Sequence, residues 1–177
     1  MILDMTLLLV TFLLLILSVV ATVCVFITIK YRVPPVPSGK RLANAMIQAA
    51  KIDTNENIYD LGCAFGGLLF RAQKKHPQNN YVGIDILGPA ILYNRYLNRL
   101  KRSNIKFINQ DFFTLELTNA DVILVYLWPS IMAQIETDIW PTLKPGTRIV
   151  SHAFRLPNTK HTELIKIKTH QVYVYVR

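Results

Sequence analysis

Residues 5–29, MTLLLVTFLLLILSVVATVCVFITI, contain no charged side chain and no proline. As an α-helix, 25 residues reach about 37 Å, more than the ~30 Å hydrocarbon core of a bilayer. A run so uniformly apolar has no polar face to turn toward water, and it is expected to span a membrane once. A cleavable signal peptide is the competing reading. That would call for a basic start, a shorter apolar core and small residues at a cleavage site. Here Asp4 precedes the run and no Lys or Arg does. Residues 1–30 are therefore read as a transmembrane anchor that meets the lipid bilayer through residues 5–29. Lys30, Arg32, Lys40 and Arg41 all follow the helix. By the positive-inside rule the C-terminal part faces the cytoplasm, or a matrix-equivalent interior.

Residues 31–37 contain Pro34, Pro35 and Pro37 and are read as an extended linker, because proline disfavours helix at and before its own position. Ser38 is the expected N-cap of a short amphipathic helix over 39–51. Residues 38–177 are the size of one domain with one core. The net charge is +9. Its densest clusters are Lys74-Lys75-His76, Lys101-Arg102 and residues 30–41, which suits a solvated basic surface beside an anionic membrane. Nucleic acid is disfavoured as a partner, because aromatic residues do not interleave with the basic ones as in single-strand binders. The two cysteines and four scattered histidines show no metal-ligand spacing, so no metal is expected.

The rest of the chain alternates strand and helix signals. Strands are expected at 57–61, 81–85, 105–109, 121–127 and 147–154, and helices at 66–75, 89–102 and 131–140. The 121–127 run is apolar throughout, which marks a strand buried on both faces. Residues 164–168 and 172–176 close the chain as a hairpin, the second with strict Val-Tyr alternation. The fold class is α/β, a Rossmann-like, mostly parallel sheet of about seven strands with a C-terminal antiparallel hairpin, preceded by one transmembrane helix.

The segment Asp60-Leu61-Gly62-Cys63-Ala64-Phe65-Gly66-Gly67 follows the first strand and opens a helix. Glycine permits a sharp turn and close ligand approach, and the helix N-terminus offers oriented N–H groups. Asp85 ends the second strand, where a carboxylate can accept both hydroxyls of a ribose. The G-x-x-x-G-G spacing is not the G-x-G-x-x-G of dinucleotide sites. Asp60, before the first glycine, suits a cationic amino group better than a pyrophosphate. Asp111 follows the third strand and is placed to meet an adenine amino group, with Phe112 against the ring. Singly, each residue has a plain alternative: glycine as a turn, Asp85 as a helix cap, Phe112 as core. The ordered set suits a nucleoside that carries an amino acid.

On these residues the chain resembles the seven-strand, class I S-adenosylmethionine-dependent methyltransferases over residues 38–177. Asp60, Gly62 and Gly66 match the first motif, Asp85 the ribose-binding acid and Asp111 the adenine-contacting acid. Ala64 departs from the usual middle glycine. The anchor, the Pro-Val-Pro-Ser linker, the Tyr126-Leu127-Trp128-Pro129-Ser130 stretch, residues 144–151 and Phe154-Arg155-Leu156-Pro157 are similar to those of the small membrane-anchored protein-lysine methyltransferases. The mitochondrial members of that group act on ATP synthase subunit c and the adenine nucleotide translocase. In that group Phe65 is often acidic instead. The resemblance implies S-adenosyl-L-methionine as cofactor and a lysine of a membrane protein as acceptor.

Tyr126, Trp128 and Pro129, at the end of the fourth strand, are expected to line the acceptor channel, with helix-sheet packing as the alternative for Trp128. No catalytic base is identified. Burial of the acceptor amine, or a water, then has to serve for its deprotonation. Two other readings remain: an RNA or small-molecule methyltransferase, and a non-catalytic membrane assembly factor that keeps a cofactor-binding fold.

Overall fold

The computed structural model describes residues 2–31, 39–167 and 170–177, the side chains of residues 2–4, 23, 24 and 26–31 excepted. Helix α1, Ile2–Tyr31, is one continuous helix. Its side chains are exposed from Met5 through Thr22, and it is long and apolar enough to cross a membrane. Three of its described polar side chains turn back on their own helix. Thr11 donates to the Leu8 carbonyl at 2.9 Å, Ser18 to Leu15 at 2.8 Å and Thr22 to Ser18 at 2.8 Å. Such back-bonding spares hydroxyls the need for water. The linker residues 32–37 and Ser38 lie outside the described residues.

Residues 37–177 form a separate compact unit. Helix α2 spans Lys40–Ala49, and its N-cap is Gly39, one residue beyond the expected Ser38. The Gly39 carbonyl accepts the Ala43 N–H at 3.0 Å, which fixes the first turn there. Strands β1 (Asn57–Leu61), β2 (Asn80–Asp85), β3 (Lys106–Asn109), β4 (Val122–Val125), β5 (Arg148–His152), β6 (Glu163–Ile167) and β7 (His170–Val176) make one sheet in the order β3-β2-β1-β4-β5-β7-β6. The first five are parallel, and β7 runs antiparallel to both β5 and β6. This is the α/β sheet with a terminal hairpin that the sequence implied.

Strand β4 is central and all four of its residues are buried. Val122 and Leu124 join the core formed with Met46 and Ile47 of α2 and with Leu69 and Ala72 of α3 (Gly67–Lys75). By alternation, Ile123 and Val125 serve the opposite face. Chain order reverses between β1 and β4, which opens a crevice at their C-terminal ends.

Several elements end earlier than their apolar patterns imply, each for a local reason. Strand β4 stops at Val125 rather than at residue 127. Pro129 at the start of α5 (Pro129–Gln134) holds Trp128 extended, at φ −62° and ψ 157°. Strand β5 stops at His152 because Ala153 is left-handed, φ 64°. Helix α4, Gly88–Leu100, ends before Arg102, which is left-handed at φ 49°. The helix expected over 131–140 is α-helical only to Gln134. A π-turn, Ile135–Ile139, and a 3₁₀ turn, Trp140–Thr142, follow. Pro141 has no N–H to give to the turn before it and its ring crowds the carbonyl four residues back, at Thr137, inside the π-turn, although Trp140 keeps helical dihedrals.

Candidate active site

The loop from β1 to α3 passes through three left-handed residues: Gly62 at φ 74°, Ala64 at φ 43° and Gly66 at φ 64°. At Gly62 the positive φ strains any L side chain, and a Cβ would also press on Leu127 Cδ2 at 2.8 Å, so glycine is favoured where the chain turns beneath the β4 exit. Ala64 holds a conformation that ordinarily costs an L-residue about 1–2 kcal/mol. Hydrogen bonds on both sides of it provide the compensation. Its N–H donates to Asp85 Oδ2 at 2.7 Å, and its carbonyl accepts from Asn94 Nδ2 at 2.6 Å. Asn94 is buried on α4, so α4 holds the loop from below.

Asp60 is buried at the end of β1, and among the described residues no donor reaches its carboxylate. Burial, with the Asp85 charge in second place, pushes its pKa up to about 7. A buried carboxylate in that state fits a cationic ligand group, which would hold it ionised. Asp85 stands at the adjacent strand end, and its Oδ1 accepts the Leu87 N–H at 2.8 Å. Both of its oxygens thus hold backbone, yet each keeps a lone pair for a hydroxyl. Its helix-capping role and a ligand role are therefore compatible.

Asp111 caps the 3₁₀ turn Phe112–Thr114 by accepting the Phe113 N–H at 3.0 Å, and it is exposed. Phe112 is buried, its ring 4.5 Å from that of Phe113. Asp60, Gly62, Gly66 and Asp85 thus gather at the ends of β1 and β2, with Asp111 and Phe112 just past the end of β3, two strands from β1.

A second cluster lies past the ends of β4 and β5. Trp128 is 45% exposed and stacks on Phe154, with centroids 6.1 Å apart and planes 16° from parallel. Tyr126 lies 6.5 Å from Phe154 and 4.2 Å from the His152 ring. Pro129 begins α5 beside them. His152 was not singled out in the sequence, and Phe154 entered only as part of a resembling stretch, without a site role. The one available signal was their position at a parallel strand's C-terminal end. His152 Nε2 lies 3.2 Å from His170 Nδ1, while its own Nδ1 is buried without a partner. Burial and then the neighbouring His170 lower its pKa to about 4, so the ring is neutral at neutral pH. The loop beyond Phe154 is fixed from the π-turn, where Glu136 accepts the Asn158 N–H at 3.0 Å.

Comparison with known proteins agrees with this geometry. The family model of the ANTKMT methyltransferase domain matches residues 60–163. A protein-lysine N-methyltransferase of Saccharolobus islandicus is 28% identical over 152 residues, covering 81% of this chain and 93% of the relative. An RNA methyltransferase from Salinibacter ruber, solved with S-adenosyl-L-homocysteine, superposes with a TM-score of 0.76 at 26% identity. The match covers 80% of this chain and 93% of that one. A tRNA (guanine-N(7)-)-methyltransferase of Chloroherpeton thalassium is 36% identical over 61 residues, only 33% of this chain and 27% of that protein.

Proposed function

The chain belongs to the ANTKMT methyltransferase domain family and is an S-adenosylmethionine-dependent methyltransferase, and on that premise we propose that it methylates a lysine side chain of a membrane protein. In this reading residues 1–30 are the anchor, 31–37 the linker and 38–177 the catalytic domain, which faces the cytoplasm or its equivalent interior.

The residues present fit the cofactor. Asp60 would take its cationic amino group, the backbone at Gly62 and Gly66 would lie against it, and Asp85 would accept the ribose hydroxyls. Asp111 and Phe112 would meet the adenine, Phe112 through whatever edge its packing leaves free. When bound, the cofactor supplies an electrophilic methyl group on a sulfonium. What remains for the protein is to orient the acceptor amine, exclude water and leave that amine neutral.

The observation that carries the acceptor assignment is the aromatic group of Tyr126, Trp128 and Phe154 beside neutral His152. Aromatic faces receive the alkyl stem of a lysine and the charge that develops on its nitrogen as the methyl arrives, while burial against them favours the neutral amine beforehand. The Saccharolobus relative is named for the same chemistry. The exposed apolar α1 fits a single membrane anchor, which raises the effective concentration of membrane-embedded acceptors.

The test is to incubate the full chain with membranes and methyl-labelled cofactor and to locate the label by mass spectrometry. Label on lysine of an integral membrane protein is expected. RNA is the second reading, favoured by the Salinibacter structure. Label on RNA alone would replace the lysine assignment and leave methyl transfer intact.

A further inference from the structure

Helix α4 turns an apolar stripe to solvent. Leu92, Tyr96 and Leu100, four residues apart, are 70%, 58% and 63% exposed, and Tyr93 beside them is also exposed. Exposed Phe65 meets Tyr93 edge-on at 5.8 Å and extends the patch to the head of α3. An open groove between α3 and α4 adjoins it, lined in part by Arg71, Lys74 and Lys101. Lys101 Nζ lies 4.1 Å above the Phe70 ring, its charge at the groove mouth. Residues 62–110 hold eight Lys and Arg against one acid, Asp85, and that acid is engaged at the ligand loop.

Soluble monomers seldom expose a contiguous apolar patch of this kind, and a basic rim around one suits the boundary between headgroups and acyl chains. Eight residues separate Tyr31 from Lys40, and a fully extended chain of that length spans about 30 Å. With α1 as a bilayer anchor, a linker of that length tethers the domain to the membrane. We propose that the α4 stripe, with Arg71, Lys74 and Lys101, is a second membrane contact that docks on anionic lipid. Leu92, Tyr96 and Leu100 enter the headgroup boundary, and the cations pair with lipid phosphates.

The test uses the full chain with Cys24→Ser (Cys63 is buried), carrying one nitroxide label at a time through Leu92→Cys, Tyr96→Cys or, as a control, Lys160→Cys. The protein is reconstituted in phosphatidylcholine vesicles with and without phosphatidylglycerol. Anionic lipid should raise oxygen collisions and lower nickel-chelate collisions several-fold at residues 92 and 96 but not at 160. Arg71→Gln, Lys74→Gln and Lys101→Gln together should reverse the change. Equal water access at 92 and 96 in both vesicles would overturn the proposal. Protection appearing only on addition of an oligoribonucleotide would also overturn it, and would assign the face to nucleic acid.

Discussion

The Ala64 N–H donates to Asp85 Oδ2 at 2.7 Å, tying the glycine loop after β1 to the end of β2. A non-glycine residue in the left-handed region is thereby held by the same carboxylate proposed to accept the ribose. Loop shape and ribose recognition share one side chain, so changes at either residue should be felt at both.

Ala64→Gly relieves the strain at φ 43° but adds freedom to the unfolded chain. The first effect is about 1–2 kcal/mol and the second about 0.4–1 kcal/mol. The variant should be more stable by up to about 1.5 kcal/mol in urea unfolding, with cofactor affinity retained. A loss above that size would mean that the alanine methyl makes a contact that matters. Ala64→Val should destabilise, because β-branched residues tolerate positive φ least.

Asp85→Ala removes the proposed ribose acceptor and frees the Ala64 and Leu87 N–H groups. A hydrogen bond to a charged group contributes about 1.5–3 kcal/mol, so affinity for S-adenosylhomocysteine should fall roughly 10- to 100-fold by calorimetry. Unchanged affinity would contradict the placement of the nucleoside.

The convergence of the residues proposed for the nucleoside was legible because its signals are local. Asp60, Gly62 and Gly66 lie within seven residues, and Asp85 ends the adjacent parallel strand, where register with β1 brings it alongside. The aromatic cluster proposed for the acceptor was legible only in part. Phe154 reaches Trp128 because Ala153 turns left-handed, which no residue preference at alanine foretells. His152 owes its neutral state first to burial and then to His170 on the antiparallel β7, a ring contact that depends on hairpin register. The helix after β4 was overextended because apolar periodicity continues through Ile139 while Pro141 disrupts the backbone behind it.

Asp60 gives the site a pH dependence. In the free protein its pKa is raised to about 7, so ionisation occurs as pH climbs through neutrality. A cationic ligand group needs the ionised form, and cofactor affinity should rise with pH toward a plateau above 7. Below pH 6 it should fall by up to about tenfold per unit. Without cofactor the sign is opposite for folding: the stabilisation from the raised pKa is present at low pH and lost as pH rises toward 7. Calorimetry and thermal unfolding from pH 5 to 8 measure both trends. Asp60→Asn should bind weakly and flatten both.

His152 acts in the acid range. Its folded pKa is depressed to about 4, below its ordinary 6.5. The stability it contributes is therefore present above pH 6.5 and lost as pH falls toward 4, where the unfolded chain takes up the proton more readily. Across pH 4–7 this slope opposes the one from Asp60, so His152→Phe should leave the denaturation midpoint falling more steeply with rising pH than in the wild type. A slope unchanged in that variant would place the acid sensitivity elsewhere.

Trp128 separates acceptor binding from cofactor binding. It stacks on Phe154 past the end of β4, whereas Asp60, Gly66 and Asp85 lie at the ends of β1 and β2, and it is 45% exposed. Trp128→Ala removes an aromatic face from the proposed channel and leaves the glycine loop untouched. Its carbonyl, which receives the Ile131 and Met132 N–H groups at 3.0 Å, survives the substitution, so α5 should still begin there. Affinity for S-adenosylhomocysteine should stay within about twofold of wild type. Loss of a cation–π face of about 0.5–2 kcal/mol should lower methyl transfer to membrane proteins roughly 2- to 30-fold. Trp128→Phe should restore most of it, because the ring and its stacking partner remain. A Trp128→Ala variant that loses cofactor affinity to the same degree as transfer would place this indole in the nucleoside pocket and remove it from the channel.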